Sequence, residues 1–253
     1  MKRAYTTIPV ELCAYALLNQ KVNPIRLYAY LKLHASGHLR YERDIFEHIK
    51  DWAEDLSIHK KTVQTCLQWL IDNKLVTINS NLKSIRIIGY EQLHRKFKFE
   101  NKSAVVLEEK GYLHFKAFCC AAVIIYYRNK KRWLDCRSAS KKGGARKNLK
   151  QSNRGFYPLP CEYLAKCLNV SKTTAFNYKV AAATQNFIEK KKNIVPVFNN
   201  VGDKMPREIY SVLERMDSDI ITIGRFRKGK KFLRKVDSDL IGSNIIIKTK
   251  KYR

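Results

Sequence analysis

The sequence predicts a mainly helical α+β fold with small β-hairpins, and three observations carry that prediction. Apolar residues recur at helical spacing over most of the chain, short alternating stretches follow the helices, and one broken-helix pattern occurs twice. A chain of 253 residues with 45% hydrophobic content is long enough to bury a core and to form one or two domains.

Taken in order, "VELCAYALLN" (10–19) forms a short helix. Asn23 is expected to cap the next one, with Pro24 at its first position, where a missing N–H is not needed. Ile25, Tyr28, Leu31 and Ala35 share one face of that helix, and Gly37 ends it. A third helix runs from Ile45 to about Leu56 with Ile49, Trp52, Ala53 and Leu56 on one side. After a break at Ser57, a fourth buries Val63, Leu67, Leu70 and Ile71. "LVTINSNLKSIRIIG" (75–89) alternates as a hairpin.

Residues 91–112 are polar with few periodic apolar positions and read as a linker. A longer helix spans His114 to Trp133. "DCRSASKKGGARKNLKQSNRG" (135–155) has almost no apolar side chain and reads as a mobile basic loop. Residues 161–188 give helix, break, helix; "EKKKNIVPVF" (189–198) begins a second hairpin. A short helix near 206–216 and strands at 219–226 and 244–249 complete the chain. The expected organisation is a domain at 1–90, a linker at 91–112 and a domain at 113–253 that carries the basic loop 136–155 and a basic β-rich tail.

Charge decides the partner class. Fifty Lys and Arg stand against 22 Asp and Glu, a formal net charge of +28. Residues 113–253 hold most of the excess, at +22, against +5 in residues 1–90. A chain this basic requires an anionic partner, with nucleic acid first and an anionic membrane second. The longest apolar run, "AFCCAAVIIYY" (117–127), is far short of the roughly 20 residues a membrane span needs. The N-terminus lacks a small-residue cleavage site. A cytoplasmic, nucleoid-associated protein with no membrane partner is the expectation. Seven cysteines without a CxxC pair read as buried apolar fillers in a reducing compartment.

The repeat is the sharpest feature. Ala53, Leu56, Ile58 and Val63 recur as Ala165, Leu168, Val170 and Ala175, each 112 residues later. A small residue lets two helices cross closely, Leu ends the first helix against the core, and a β-branched residue plugs the turn. Val or Ala on the second helix then faces back toward the first. Ser171 is a good cap for the second copy's outer helix, whereas His59 at the matching place is a poor one.

On these residues, "WAEDLSIHKKTVQTCLQWLIDNKLVTI" (52–78) and "YLAKCLNVSKTTAFNYKVAAATQNFI" (163–188), the chain resembles the winged helix-turn-helix family. The second copy departs from the pattern, because "KVAAATQNFI" lacks the leucines that pack such a helix. Two such domains in tandem look like the replication initiators of plasmids and phages, a resemblance of architecture. It implies double-stranded DNA as partner, with a homodimer or other replication or transcription proteins beside it, and no cofactor.

The resemblance implies that the outer face of each second helix enters the major groove. In the first copy that face offers Lys60, Lys61, Gln64, Thr65 and Gln68. In the second it offers Ser171, Lys172, Thr173, Thr174, Asn177 and Lys179. Gln and Asn suit adenine, Lys suits guanine or phosphate, and hydroxyls at a helix start suit phosphate. Lys141, Lys142, Arg146 and Lys147 of the loop, and Arg227, Lys228, Lys230 and Lys231 of a basic turn, are expected to hold the backbone without reading bases.

Other chemistry is thinner. "GRFRKGKK" (224–231) has Lys231 where a phosphate-binding loop needs Ser or Thr. His34 and His38 sit at metal spacing without a third ligand. The pairs Asp217/Asp219 and Asp237/Asp239 read as polar turns before strands; the alternative is a metal-dependent nucleic-acid enzyme that uses them as ligands. A second alternative is a basic RNA- or DNA-binding assembly protein without sequence readout. No enzyme is predicted; the leading expectation is a sequence-specific DNA-binding protein, acting as replication initiator or transcriptional regulator.

Overall fold

In a computed structural model the chain is described over residues 5–35, 37–41, 45–141, 155–196, 220–222 and 233–249. The described residues form a mixed α+β protein, mainly helical, with three small antiparallel sheets among them. Two compact units emerge, each built from separated stretches: Met1–Tyr126 with Asn177–Ile188 and Asn244–Arg253, and Tyr127–Phe176 with Glu189–Ser243. The boundaries expected at 90 and 113 do not coincide with this division.

The first unit opens with β1 (Thr6–Pro9), α1 (Val10–Leu18) and α2 (Val22–His34). Then follow β2 (His38–Arg40), α3 (Ile45–Asp55), α4 (Lys60–Asp72), and the hairpin of β3 (Val76–Asn79) and β4 (Ser84–Ile87). The sheet order is β2-β4-β3, with Ile85 opposite both Leu39 and Ile78. Alternation sends Ile85 and Ile87 inward, while Arg86 stays exposed. Leu27, Tyr28, Leu31, Leu56, Val63, Leu70 and Leu75 fill the core between these helices, and the Tyr28 hydroxyl donates to the Ile88 carbonyl at 2.9 Å.

Residues 91–112 are not a linker. They form most of α5 (Tyr90–Phe97), all of β5 (Ser103–Leu107) and most of α6 (Glu109–Leu113). β5 is the middle strand of a sheet, between β1 and β10 (Ile247–Thr249). Its pairs, Ile8↔Val105 and Ile247↔Val105, join segments far apart in sequence, so no local pattern announces them. Burial of Leu93, Val105, Leu107 and Tyr112 holds the stretch in place.

α7 (Phe115–Lys141) also runs further than expected, into residues read as a loop. Side chains one turn apart support the extension: Lys131 pairs with Asp135 at 2.6 Å, and the Arg137 guanidinium lies 5.2 Å from the Trp133 ring. The apolar run 117–125 is buried within the fold, and among the described residues no helix is long and apolar enough to cross a membrane. At the other end of the chain's first helical pair, α2 starts at Val22 rather than at an Asn23 cap, with Pro24 tolerated in the first turn. It ends at Ala35 in extended conformation, before Gly37.

The second unit contains β6 (Tyr157–Pro158), α8 (Cys161–Leu168), the start of α9 (Lys172–Thr184), β7 (Ile188–Pro196), β8 (Ile220–Thr222) and β9 (Leu233–Ser243). β9 is the sheet's centre, pairing β6, β7 and β8. Asp237 and Asp239 therefore lie inside a strand, not in a turn before one. Buried Arg128 ties the unit together by donating to the Gly155 carbonyl at 3.0 Å and the Ile241 carbonyl at 3.1 Å. All seven cysteines are free, and Cys13, Cys66, Cys119 and Cys120 are buried.

Candidate nucleic-acid interface

The two copies of the repeat share their local geometry position by position. Each first helix ends on a left-handed residue, Ser57 at φ 50° and Asn169 at φ 53°. The next N–H reaches back across the turn, Ile58 to Ala53 at 3.0 Å and Val170 to Ala165 at 3.1 Å. The second helices, α4 and α9, are 13 residues each. Both close alike: Lys74 and Asn186 are left-handed at φ 51° and 55°. Leu75 N–H then donates to Leu70 at 2.8 Å, and Phe187 N–H to Ala182 at 3.0 Å. Strands β3 and β7 begin at once afterwards, so the offset of 112 residues holds from turn to strand.

Each outer helix is capped by a side chain. Ser171 Oγ accepts from the Thr174 N–H at 3.0 Å. His59 caps as well: its backbone is extended and its Nδ1 accepts from the Lys61 N–H at 3.2 Å. The imidazole nitrogen takes the place of a hydroxyl or carboxylate oxygen, a substitution that residue type alone does not reveal.

On α4, Lys60, Lys61, Thr65 and Gln68 are exposed and Gln64 is half-buried, all on the side away from Val63, Cys66, Leu67 and Leu70. Burial pushes the Cys66 thiol up to about 11, consistent with an inert filler beneath the helix. Thr65 Oγ1 donates to the Lys61 carbonyl at 3.0 Å. Gln68 Nε2 donates to Asp72 Oδ1 at 2.7 Å, so a carboxylate orients this amide, a partner that helical spacing alone did not single out.

On α9, Ser171, Lys172, Thr173 and Asn177 are exposed and Thr174 is half-buried. Lys179 is not on this face; it is 1% exposed. The repeat explains why, since Lys179 follows core Leu67 by 112 residues and so points inward with Ala175 and Ala182. The outward places of Gln64 and Gln68 are taken instead by Phe176 and Val180, 48% and 39% exposed. Lys190 Nζ lies 5.5 Å from the Phe176 ring. Lys172 Nζ donates to Glu162 Oε1 at 2.8 Å, and that hydrogen bond and the ammonium charge hold the carboxyl below the usual carboxylate range.

The hairpin beside α4 adds cations in the expected wing that the sequence pattern did not single out. Arg86 faces His38 on one side and Thr77 on the other, all three exposed, and Lys83 stands in the β3–β4 turn. On α7, Lys130, Arg132 and Arg137 are exposed beside Trp133. Lys141 ends α7, while Lys142, Arg146, Lys147, Arg227, Lys228, Lys230 and Lys231 lie outside the described residues, as do the stretch 224–231 as a whole and Asp217 and Asp219.

Among the described residues no group of three or more His, Cys, Asp and Glu could hold a metal ion. Asp239 instead faces Lys190 at 3.8 Å. His34 ends α2 and His38 begins β2, so the two do not share a helix face. Comparison with family models, curated proteins and solved structures finds no match to this chain.

Proposed function

We propose that the protein binds double-stranded DNA, reading sequence with α4 and gripping the backbone with its basic surfaces. The observation that carries this reading is the α3–turn–α4 unit, with Lys60, Lys61, Gln64, Thr65 and Gln68 directed away from the core and a hairpin directly behind them. The order α2-β2-α3-α4-β3-β4, with sheet order β2-β4-β3, supports the winged helix-turn-helix resemblance. The second copy supports it through the shared turn geometry. Its outer face is poorer in base-reading groups, so α9 serves the backbone through Ser171, Lys172, Thr173 and Asn177 more than it reads bases. The net charge of +28 supplies the long-range attraction.

The role is replication initiation or transcriptional regulation of a plasmid, phage or similar element. Selection of fragments bound from the native genome, followed by sequencing, tests both parts. Clustered repeats at an origin indicate initiation, and a single promoter site indicates regulation. Equal displacement of the selected fragments by random duplex at physiological salt defeats sequence-specific binding.

A further inference from the structure

Arg26 is the anomaly of the first unit. It sits on α2, 7% exposed, and its Nε is buried without an acceptor. Among the described residues its guanidinium forms no hydrogen bond or ion pair. Burial lowers its pKa, yet a guanidinium does not give up its proton in a protein, so the charge stays. An N–H shut off from water without an acceptor is costly, and an anion at the guanidinium would supply the acceptor that Nε lacks.

Arg26 lines a cavity of about 390 Å³. The first turn of α2 reaches it through Val22 and Asn23, and the first turn of α7 through Phe115, Lys116 and Ala117. Helix starts carry N–H groups without intrahelical acceptors and the positive end of the dipole. Lys21, at the α2 start, supplies no side-chain cap. His114, Thr184 and Gln185 complete the polar lining, and no carboxylate residue is among the lining residues. Two helix starts, the Arg26 guanidinium and the exposed Lys116 ammonium thus meet beside the last turn of α9, with no carboxylate side chain among the lining residues to balance the two cations.

We propose that this cavity binds a phosphate group, with Arg26 as its fixed cation and Lys116 as the second. A tetrahedral oxyanion can use donors that arrive from several directions, as the helix starts and guanidinium do here. The cavity is much larger than a water molecule's share of about 30 Å³, which leaves room for a phosphate and part of the group it is attached to. The phosphate comes from one of two sources, a small free phosphate or phosphomonoester, or the backbone of a duplex. The site stands on Arg26 and the helix starts, and does not depend on the DNA reading.

Calorimetric titration of the full chain distinguishes the sources. The probes are inorganic phosphate, a nucleoside 5′-monophosphate and a duplex, each in chloride buffer of matched ionic strength. The expected result is saturable binding of at least one probe, weakened at least about tenfold by Arg26→Met and less by Lys116→Ala. Arg26-dependent binding of the small probes assigns the free source. Arg26 dependence confined to the duplex assigns the backbone. Arg26-dependent small-probe binding without any duplex binding upholds the site and defeats the DNA reading. Unchanged affinity for all three probes in both variants overturns the proposal. Should Arg26→Met fail to fold, Lys116→Glu decides, because unchanged affinity for every probe in that variant overturns it equally.

Discussion

The ammonium of Lys172 lies 2.8 Å from a carboxylate oxygen of Glu162, so the first turn of α9 is tied to the first turn of α8 by an exposed ion pair. The same lysine is one of the few cations on the outward side of α9, and Glu162 holds it as any phosphate would. DNA and Glu162 therefore compete for Lys172 on the proposed reading.

Glu162→Gln is expected to raise DNA affinity at low salt by no more than about fivefold, because an exposed ion pair is weak. Fluorescence anisotropy with a bound fragment measures it, and the gain should shrink as salt screens the pair. Because the folded carboxyl is held below its ordinary range, the pair is formed above that range and is lost as pH falls through the depressed value. A carboxyl-carbon NMR titration of Glu162 should give a midpoint below that of free glutamate; an unshifted midpoint counts against the pair in solution.

Lys61→Ala combined with Gln64→Ala should relax sequence preference, since each bidentate pairing with a base edge is worth about 1–3 kcal/mol of discrimination. Lys172→Ala with Asn177→Ala should weaken all duplexes alike and leave the preferred sequence unchanged. Competition between selected and random duplexes reads both. Loss of discrimination from the α9 pair instead would exchange the roles of the two copies.

Lys179→Ala should leave DNA affinity within about twofold of the parent while lowering stability, because removing a long buried stem loses packing as well as charge. Denaturant titration gives the stability, expected to fall by about 1–3 kcal/mol, and binding is measured well below the melting point. A selective loss of affinity at full stability would place Lys179 at the interface after all.

His59→Ala and Ser171→Ala should each cost about 0.5–2 kcal/mol of stability, the worth of a helix cap. His59→Ser should recover most of the first loss, since a hydroxyl offers the same acceptor. Chemical denaturation decides, and a His59→Ala variant as stable as the parent would show that its ring does not cap α4 in solution.

Neutralising Lys141, Lys142, Arg146 and Lys147 together should weaken binding of every duplex and flatten the salt dependence, by up to about 0.9 in slope for each phosphate that is no longer neutralised. Affinity measured between about 50 and 200 mM salt tests it. An unchanged slope with altered sequence preference would contradict a backbone role.

Several features were legible in the sequence. The helices α3, α4 and α8 follow apolar periodicity, with partner faces set by residues three and four apart, whereas α9 is placed by its match to α4 in the repeat. The outward face of α4 is legible for the same reason. The 112-residue offset even contains the correction for Lys179, since aligning the copies places it on Leu67. Its charge suggests the outer face, but its phase along the helix points inward.

Sequence by itself determined the helical repeat, the excess of positive charge and the outward set on α4, because these depend on spacing within a dozen residues and on composition. Tertiary structure alone decided that residues 91–112 carry a central strand, that Thr6–Pro9 and Ile247–Thr249 flank it, and that the units are assembled from separated stretches. Strand pairing joins partners about 100 residues apart or more, and its hydrogen bonds leave no trace in either segment alone. Arg26 belongs to the same class: a lone arginine in a helix looks solvated until packing buries it beside two helix starts.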